Sequence, residues 1–172
     1  DTLANLTGTN RLETVRRVVD LPDPTPEFSE APIGEHIIFD ADAGTYRVFG
    51  GFSDGFGPQD RAPGSDAPDL IAYETRIPLA DNQAALYEFA LFDGSTQSIE
   101  LSYTSFVRSL ETITDGAGDL VDQQLSYYAF GNATPADQLP QTGTASYTGA
   151  LFGDVTDGTQ VLSSLRGSST MQ

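Results

Sequence analysis

The chain has 172 residues, of which 38 % are hydrophobic, enough for one domain around one core. Its formal charge is −17, from 25 acidic residues against eight basic ones, all Arg; it has no Lys, Cys or Trp, and a single His. This excludes an electrostatic nucleic-acid binder, which needs clustered cations, and with it Schiff-base chemistry on Lys, thiol chemistry and cysteine-based zinc or iron–sulfur sites.

Residues 1–34 read as an irregular N-terminal arm. Leu12, Val15, Val18 and Val19 fit either one helical turn or a short strand, and Pro22, Pro24, Pro26 and Pro32 among acids suit an extended connector. Arg16-Arg17 is the only adjacent basic pair, with Asp20 and Asp23 close behind, so an anionic membrane surface is repelled as well. From residue 35 to 172 the pattern is that of one β domain. His36–Phe39 and Tyr46–Phe49 flank Asp40-Ala41-Asp42-Ala43-Gly44, a hairpin in which Gly44 supplies the left-handed turn position. Residues 51–69 form a long polar loop, and loops of that length are commonly functional.

Strict alternation follows. Ile71, Tyr73, Thr75 and Ile77 share one face; so do Ala85, Tyr87, Phe89 and Leu91, and then Ile99, Leu101, Tyr103 and Val107, with Arg108 on the opposite side. Residues 109–119 read as a second Gly-containing loop, before strands at Leu125–Phe130, Ala145–Phe152 and Val161–Leu165, the last two joined by the Asp157-Gly158 turn. Short strands, Asp-Gly turns and the lack of any long helical period predict an all-β sandwich or an antiparallel up-and-down barrel of about eight strands. No run of about 18 apolar residues offers a membrane-spanning helix. Asp1 does not open a signal peptide, so the chain is cytosolic or a mature exported protein, and abundant Gly, Ser, Thr, Asp and Tyr favours export.

The last third carries the strongest motif. Tyr127-Tyr128-Ala129-Phe130-Gly131, then Thr134-Pro135, then Pro140, Gly143, Ala145, Tyr147 and Gly149 at alternating spacing, resembles the β-barrel domain of transferrin-binding protein B and the bacterial surface proteins built like it. Leu101-Ser102-Tyr103-Thr104-Ser105-Phe106 resembles the strand that precedes the aromatic one, and Phe56-Gly57-Pro58-Gln59-Asp60 and the Tyr73 strand resemble earlier segments more faintly. The likeness spans roughly residues 36–167. In the family a segment like Gly167–Ser169 leads into further barrel strands, so the expected barrel is incomplete in this chain or closes with fewer strands. Small and large side chains alternate in tapered barrels, which places Ala145, Tyr147, Gly149 and Leu151 in the interior, with Tyr127 and Ala129 facing them.

The resemblance implies a non-enzymatic exported binding protein at the outer-membrane surface, in the periplasm or outside the cell. Such proteins are often lipoproteins, with the lipidated Cys upstream of Asp1, and they capture an iron source, a host protein or haem, or another solute. The rival expectation is a structural or assembly subunit of an extracellular filament or surface layer, self-associating through an open sheet edge. Partner contacts are expected in loops 51–69 and 109–119, because function on β scaffolds concentrates in loops.

Individual residues have ordinary readings. His36 fits a strand end better than a metal or haem ligand, and no Gly-x-Ser-x-Gly turn supports a triad built on it. Asp40, Asp42 and Gly44 look like the start of a calcium loop, but Tyr46-Arg47-Val48-Phe49 follows where a bidentate Glu is needed, so a plain turn is preferred. Tyr127 and Tyr128 could hold a flat ligand or iron, yet aromatic strand residues more often form barrel wall. Catalytic and metal-binding residues are therefore expected to be none, and no cofactor is implied. His36→Ala should change stability by no more than ~0.5–1 kcal/mol; stoichiometric zinc or iron lost with that substitution, read by elemental analysis, would contradict this.

Overall fold

The computed structural model describes residues 5–20, 36–49, 55–62, 70–92, 104–131, 142 and 146–171; for residues 13, 15–20, 36, 49, 147–150 and 171 only the backbone is described. The fold is all-β with antiparallel sheets. Among the described residues ten strands run in chain order: β1 Thr9–Asp20, β2 His36–Asp40, β3 Thr45–Phe49, β4 Gly55–Phe56, β5 Leu70–Pro78, β6 Ala84–Phe92, β7 Thr104–Thr114, β8 Leu120–Gly131, β9 Tyr147–Thr156 and β10 Val161–Met171. The first eight form one sheet in the order β4-β3-β2-β1-β8-β7-β6-β5, and β9 and β10 form a separate two-stranded sheet.

Four hairpins show why the chain turns where it does. Gly44, Gly118 and Gly158 occupy the left-handed region at φ +65°, +89° and +90°, which glycine enters without a Cβ clash. Between β5 and β6, Asp81 and Asn82 both sit there (φ 56° and 61°), and Gln83 N–H donates to the Ala80 carbonyl at 3.2 Å. That is a type I′ turn, whose twist matches the flanking strands, made from the two non-glycine residues that best tolerate it.

The eight-stranded sheet curls around one core. Leu12, Ile37, Val48, Phe56, Tyr73, Phe89, Leu91, Val107, Tyr128 and Phe130 form a single buried cluster to which every strand from β1 to β8 contributes. Its centre is aromatic. Phe56 on the two-residue strand β4 stacks on Phe89 (centroids 4.4 Å) and Tyr46 (5.2 Å), and lies 5.0 Å from Tyr73 on β5. The two edge strands thus meet through their inward side chains. Among the described residues, one isolated bridge, Arg61 with Tyr73, joins those edges, beside an Ala62 N–H to Ala72 carbonyl bond of 3.0 Å; no continuous ladder closes the sheet.

Several sequence expectations change. Residues 9–20 are not an irregular arm: as β1 they lie between β2 and β8, paired from Thr9 with Asp40 to Asp20 with Gln124. The predicted loop 109–119 is mostly strand, because β7 continues to Thr114 and only the tight turn Asp115–Asp119 follows. In the predicted loop 51–69, Gly55–Phe56 is a strand and Pro58–Asp60 a 3-10 turn, with Asp60 Oδ2 accepting the Gly57 N–H at 2.9 Å; Phe56 is fully buried. The face assignment on β8 is inverted: Tyr128 and Phe130 enter the core, while Ala129 is exposed and Tyr127 lies on the outer side. Leu151, expected inside, is exposed.

Because Phe56 is fully buried and its ring contacts both β3 and β5, Phe56→Ala should lower stability by about 3–5 kcal/mol through lost burial and the cavity left behind. Leu120→Ala, at an exposed strand start, should stay within ~0.5 kcal/mol. Urea unfolding of the two variants checks the contrast.

Candidate functional site

The second sheet docks on the outer face of the first. Successive β7 residues alternate faces: Val107 points into the core, while Phe106, Arg108 and Leu110 point out. On β8 the outward set is Leu125 and Tyr127, and the register places Leu110 beside Leu125 and Arg108 beside Tyr127. The β9–β10 hairpin covers this strip. Phe152 packs on Phe106 (centroids 5.2 Å) and Phe92 (6.1 Å), and Val161 packs against Leu110 and Leu125. Val161 N–H donates to Gln123 Oε1 at 2.9 Å, and Gln123 Nε2 donates to Thr112 Oγ1 at 3.0 Å.

At the centre of the contact sits a carboxylate. The Asp154 side chain is 0 % exposed and accepts from Arg108 Nε at 2.8 Å, Tyr127 OH at 2.5 Å and Ser164 Oγ at 2.8 Å. β7, β8 and β10 therefore each supply one donor to a single acid on β9. Burial alone would raise the pKa of Asp154, but the hydrogen bonds from Arg108, Tyr127 and Ser164 and the guanidinium charge outweigh it and lower the value. Burial, and then the bond to Asp154, push the Tyr127 phenol well above its ordinary range. Acid and phenol move away from neutrality in opposite directions, so neither exchanges a proton near pH 7. The arrangement fixes a charge and a register; it lacks the near-neutral group that general acid–base chemistry uses.

The residues singled out from sequence fall in different places. His36 opens β2, its backbone paired with Phe49, and its side chain lies outside the described residues. Asp40 Oδ1 accepts the N–H groups of Asp42 and Ala43 at 3.1 Å and closes the turn, while Asp42 Oδ1 accepts from Gly8 N–H at 3.4 Å and ties the turn to the residue before β1. Among the described residues no group of three or more His, Asp or Glu side chains is placed to hold a metal ion. Tyr127 and Tyr128 are separated by the sheet itself. Tyr147 and Gly149 lie on β9, but their side-chain surroundings, like Pro140, Gly143 and Ala145, lie outside the described residues.

Asp154 and Ser164 were missed from the sequence. The available signal was an acid in the middle of an apolar-alternating strand, Phe152-Gly153-Asp154-Val155, where a solvated carboxylate is poorly placed. Comparison of the chain with protein-family models, curated proteins and solved structures finds no match.

The two partners of this ion pair differ in access to water, since Arg108 is 20 % exposed and Asp154 not at all. At pH 7, Arg108→Met strands a buried carboxylate with two hydroxyl donors and should cost about 3–5 kcal/mol. Asp154→Leu leaves a guanidinium that can reach water and should cost about 1–2 kcal/mol. Wild-type Asp154, with its lowered pKa, stabilises the fold above the ordinary carboxylate pKa and loses that contribution only as pH falls through the lower folded value. In Arg108→Met burial acts unopposed by the guanidinium, so acid should protonate the stranded group and shrink the deficit against wild type between pH 7 and about 4. Urea midpoints at both pH values test this; an unchanged deficit would count against it.

Proposed function

We propose that the eight-stranded sheet is an up-and-down barrel whose edges β4 and β5 close on each other, and that the chain is a non-enzymatic exported binding protein of a bacterial envelope, similar to the barrel of transferrin-binding protein B. The observation that carries this reading is the filled aromatic interior inside a sheet whose edges meet: rings of Phe39, Tyr46, Phe56, Phe89 and Tyr73 pack in series at 4.4–5.2 Å centroid separations. A barrel packed this way is a rigid scaffold. It favours a partner held on the outside over a ligand held within. The strand order β5-β6-β7-β8-β1-β2-β3-β4, each strand antiparallel to the next, is the meander an up-and-down barrel requires.

The partner class is an iron source, a host protein or haem, or another solute, and the location is the outer-membrane surface, the periplasm or the medium. The turn at Pro58–Asp60 is a supported contact point, since Pro58 and Gln59 are exposed while Phe56 anchors the segment in the core. One feature supports the rival reading of an assembly subunit: among the described residues β9 and β10 have no strand neighbour except each other. Free strand edges accept strands from other chains.

Binding should be measured on the whole immobilised chain against haemin and against a set of iron-carrying host proteins. Saturable binding weakened at least tenfold by Gln59→Lys supports the binding reading. No saturable binding, together with long polymers in negative-stain images, favours assembly instead.

A further inference from the structure

The β9–β10 hairpin has a second face. Phe152 and Asp154 point toward the large sheet, so Leu151, Gly153 and Val155 point away, and the register sets Gly167, Leu165 and Ser163 beside them. None of these six residues is ionisable, in a chain of formal charge −17. Leu151 is 55 % exposed and Leu165 57 %; Val155 and Leu162 are exposed too, so the hairpin holds four of the seven exposed large hydrophobic residues described. The face also has relief. Each leucine stands across from a glycine, Leu151 from Gly167 and Leu165 from Gly153. Leu151 leans over Gly167, whereas a Cβ built at Gly153 would meet nothing within 4 Å.

We propose that this face self-associates, with Leu165 of each copy entering the open position above Gly153 of the other across a two-fold axis. A two-fold interface needs a patch complementary to itself, and a surface carrying both a projecting leucine and an open glycine meets that requirement. Charge selects the same face: two copies repel over acidic surface, and the uncharged hairpin is where they can touch without apposing carboxylates. The free edge of β10 is the poorer route. Full-length antiparallel pairing of Val161–Met171 with itself would centre on Arg166 and set two guanidinium groups opposite one another.

The face is small. Two strands of about ten residues at ~3.3 Å per residue and ~4.8 Å apart give roughly 300 Å² per copy, against the ~1,200 Å² in total that stable complexes bury. The dimer is therefore weak, and salt should tighten it by screening the mutual repulsion of the two acidic bodies.

Sedimentation velocity on the whole chain from about 10 μM to about 1 mM tests this. The expected result is a reversible monomer–dimer equilibrium, tightened by added NaCl and weakened at least tenfold by Leu165→Asp and by Gly153→Val. Because the chain has no Cys, copies carrying Gly153→Cys mixed with copies carrying Leu165→Cys should give a covalent heterodimer on oxidation, and this holds even if Leu165→Asp disturbs folding. A monomer across the whole range overturns the proposal. So does a dimer indifferent to both substitutions, which would place the contact elsewhere, and so does a failure of the mixed cysteine copies to cross-link.

Discussion

Phe56 occupies a strand only two residues long, yet the curled sheet depends on it. Its backbone pairs with Tyr46 on β3, and its ring reaches Tyr73 on β5 and Phe89 on β6. A sheet of eight strands has two edges, and open edges are where proteins aggregate or mispair. Here the edges are brought together mainly by side chains. Among the described residues one bridge and one further backbone bond connect them, and stacked rings, attractive beyond the area they bury, bring the two ends together. The Tyr46 phenol shows how dry that centre is: burial, with Tyr73 beside it, pushes its pKa up to about 12.

Much of the sheet was legible from period-two alternation. The hairpin around Asp40–Gly44, the shared face of Tyr73 and Ile77, the opposition of Val107 and Arg108 and the turn at Asp157-Gly158 stand as the pattern indicates. The inverted faces of β8 have a clear cause. On β8 both faces are apolar, Leu125 and Tyr127 on one side and Tyr128 and Phe130 on the other, because the outer face is covered by a second sheet. Alternation identifies the inside only when the outside is wet, so the sequence around Tyr127-Tyr128 did not decide which ring was interior. β1 was obscured differently. Its apolar residues Leu12, Val15, Val18 and Val19 fit no single period, and a strand flanked on both sides by partners distant in sequence has no hairpin signal to mark it.

The buried acid of the hairpin contact follows from the same covering. A two-stranded ribbon is marginal on its own, and among the described residues β9–β10 shares no ladder with the large sheet, so side chains hold it there. Phe152 and Val161 supply apolar contact but would tolerate sliding along the strip. Asp154 does not tolerate it: moving the hairpin by two residues would carry its carboxylate away from Arg108 and Tyr127 together and leave the charge with only Ser164 of its own hairpin as a donor. Its contribution is therefore to register more than to net stability, in keeping with the modest net worth of buried ion pairs.

Three other acids close hairpin turns. In three hairpins an Asp at the junction of strand and turn has an Oδ1 that accepts backbone N–H groups: Asp40 from Asp42 and Ala43, Asp115 from Ala117 and Asp119, Asp157 from Thr159 and Gln160. At Asp157 the Thr159 hydroxyl joins at 2.7 Å, and these bonds, that of Thr159 foremost, hold the pKa near 2. Each such carboxylate closes a turn while staying in water, where its charge is screened. These three acids lie at the ends of their strands, off the packed faces. On β9–β10 only Asp154 and Arg166 carry a charge at pH 7 within the strands, and both side chains lie on the side facing the large sheet, Asp154 under Arg108 and Arg166 over the Phe152 ring at 5.7 Å. The uncharged outward face of the hairpin is thus a consequence of where the turns put the charge.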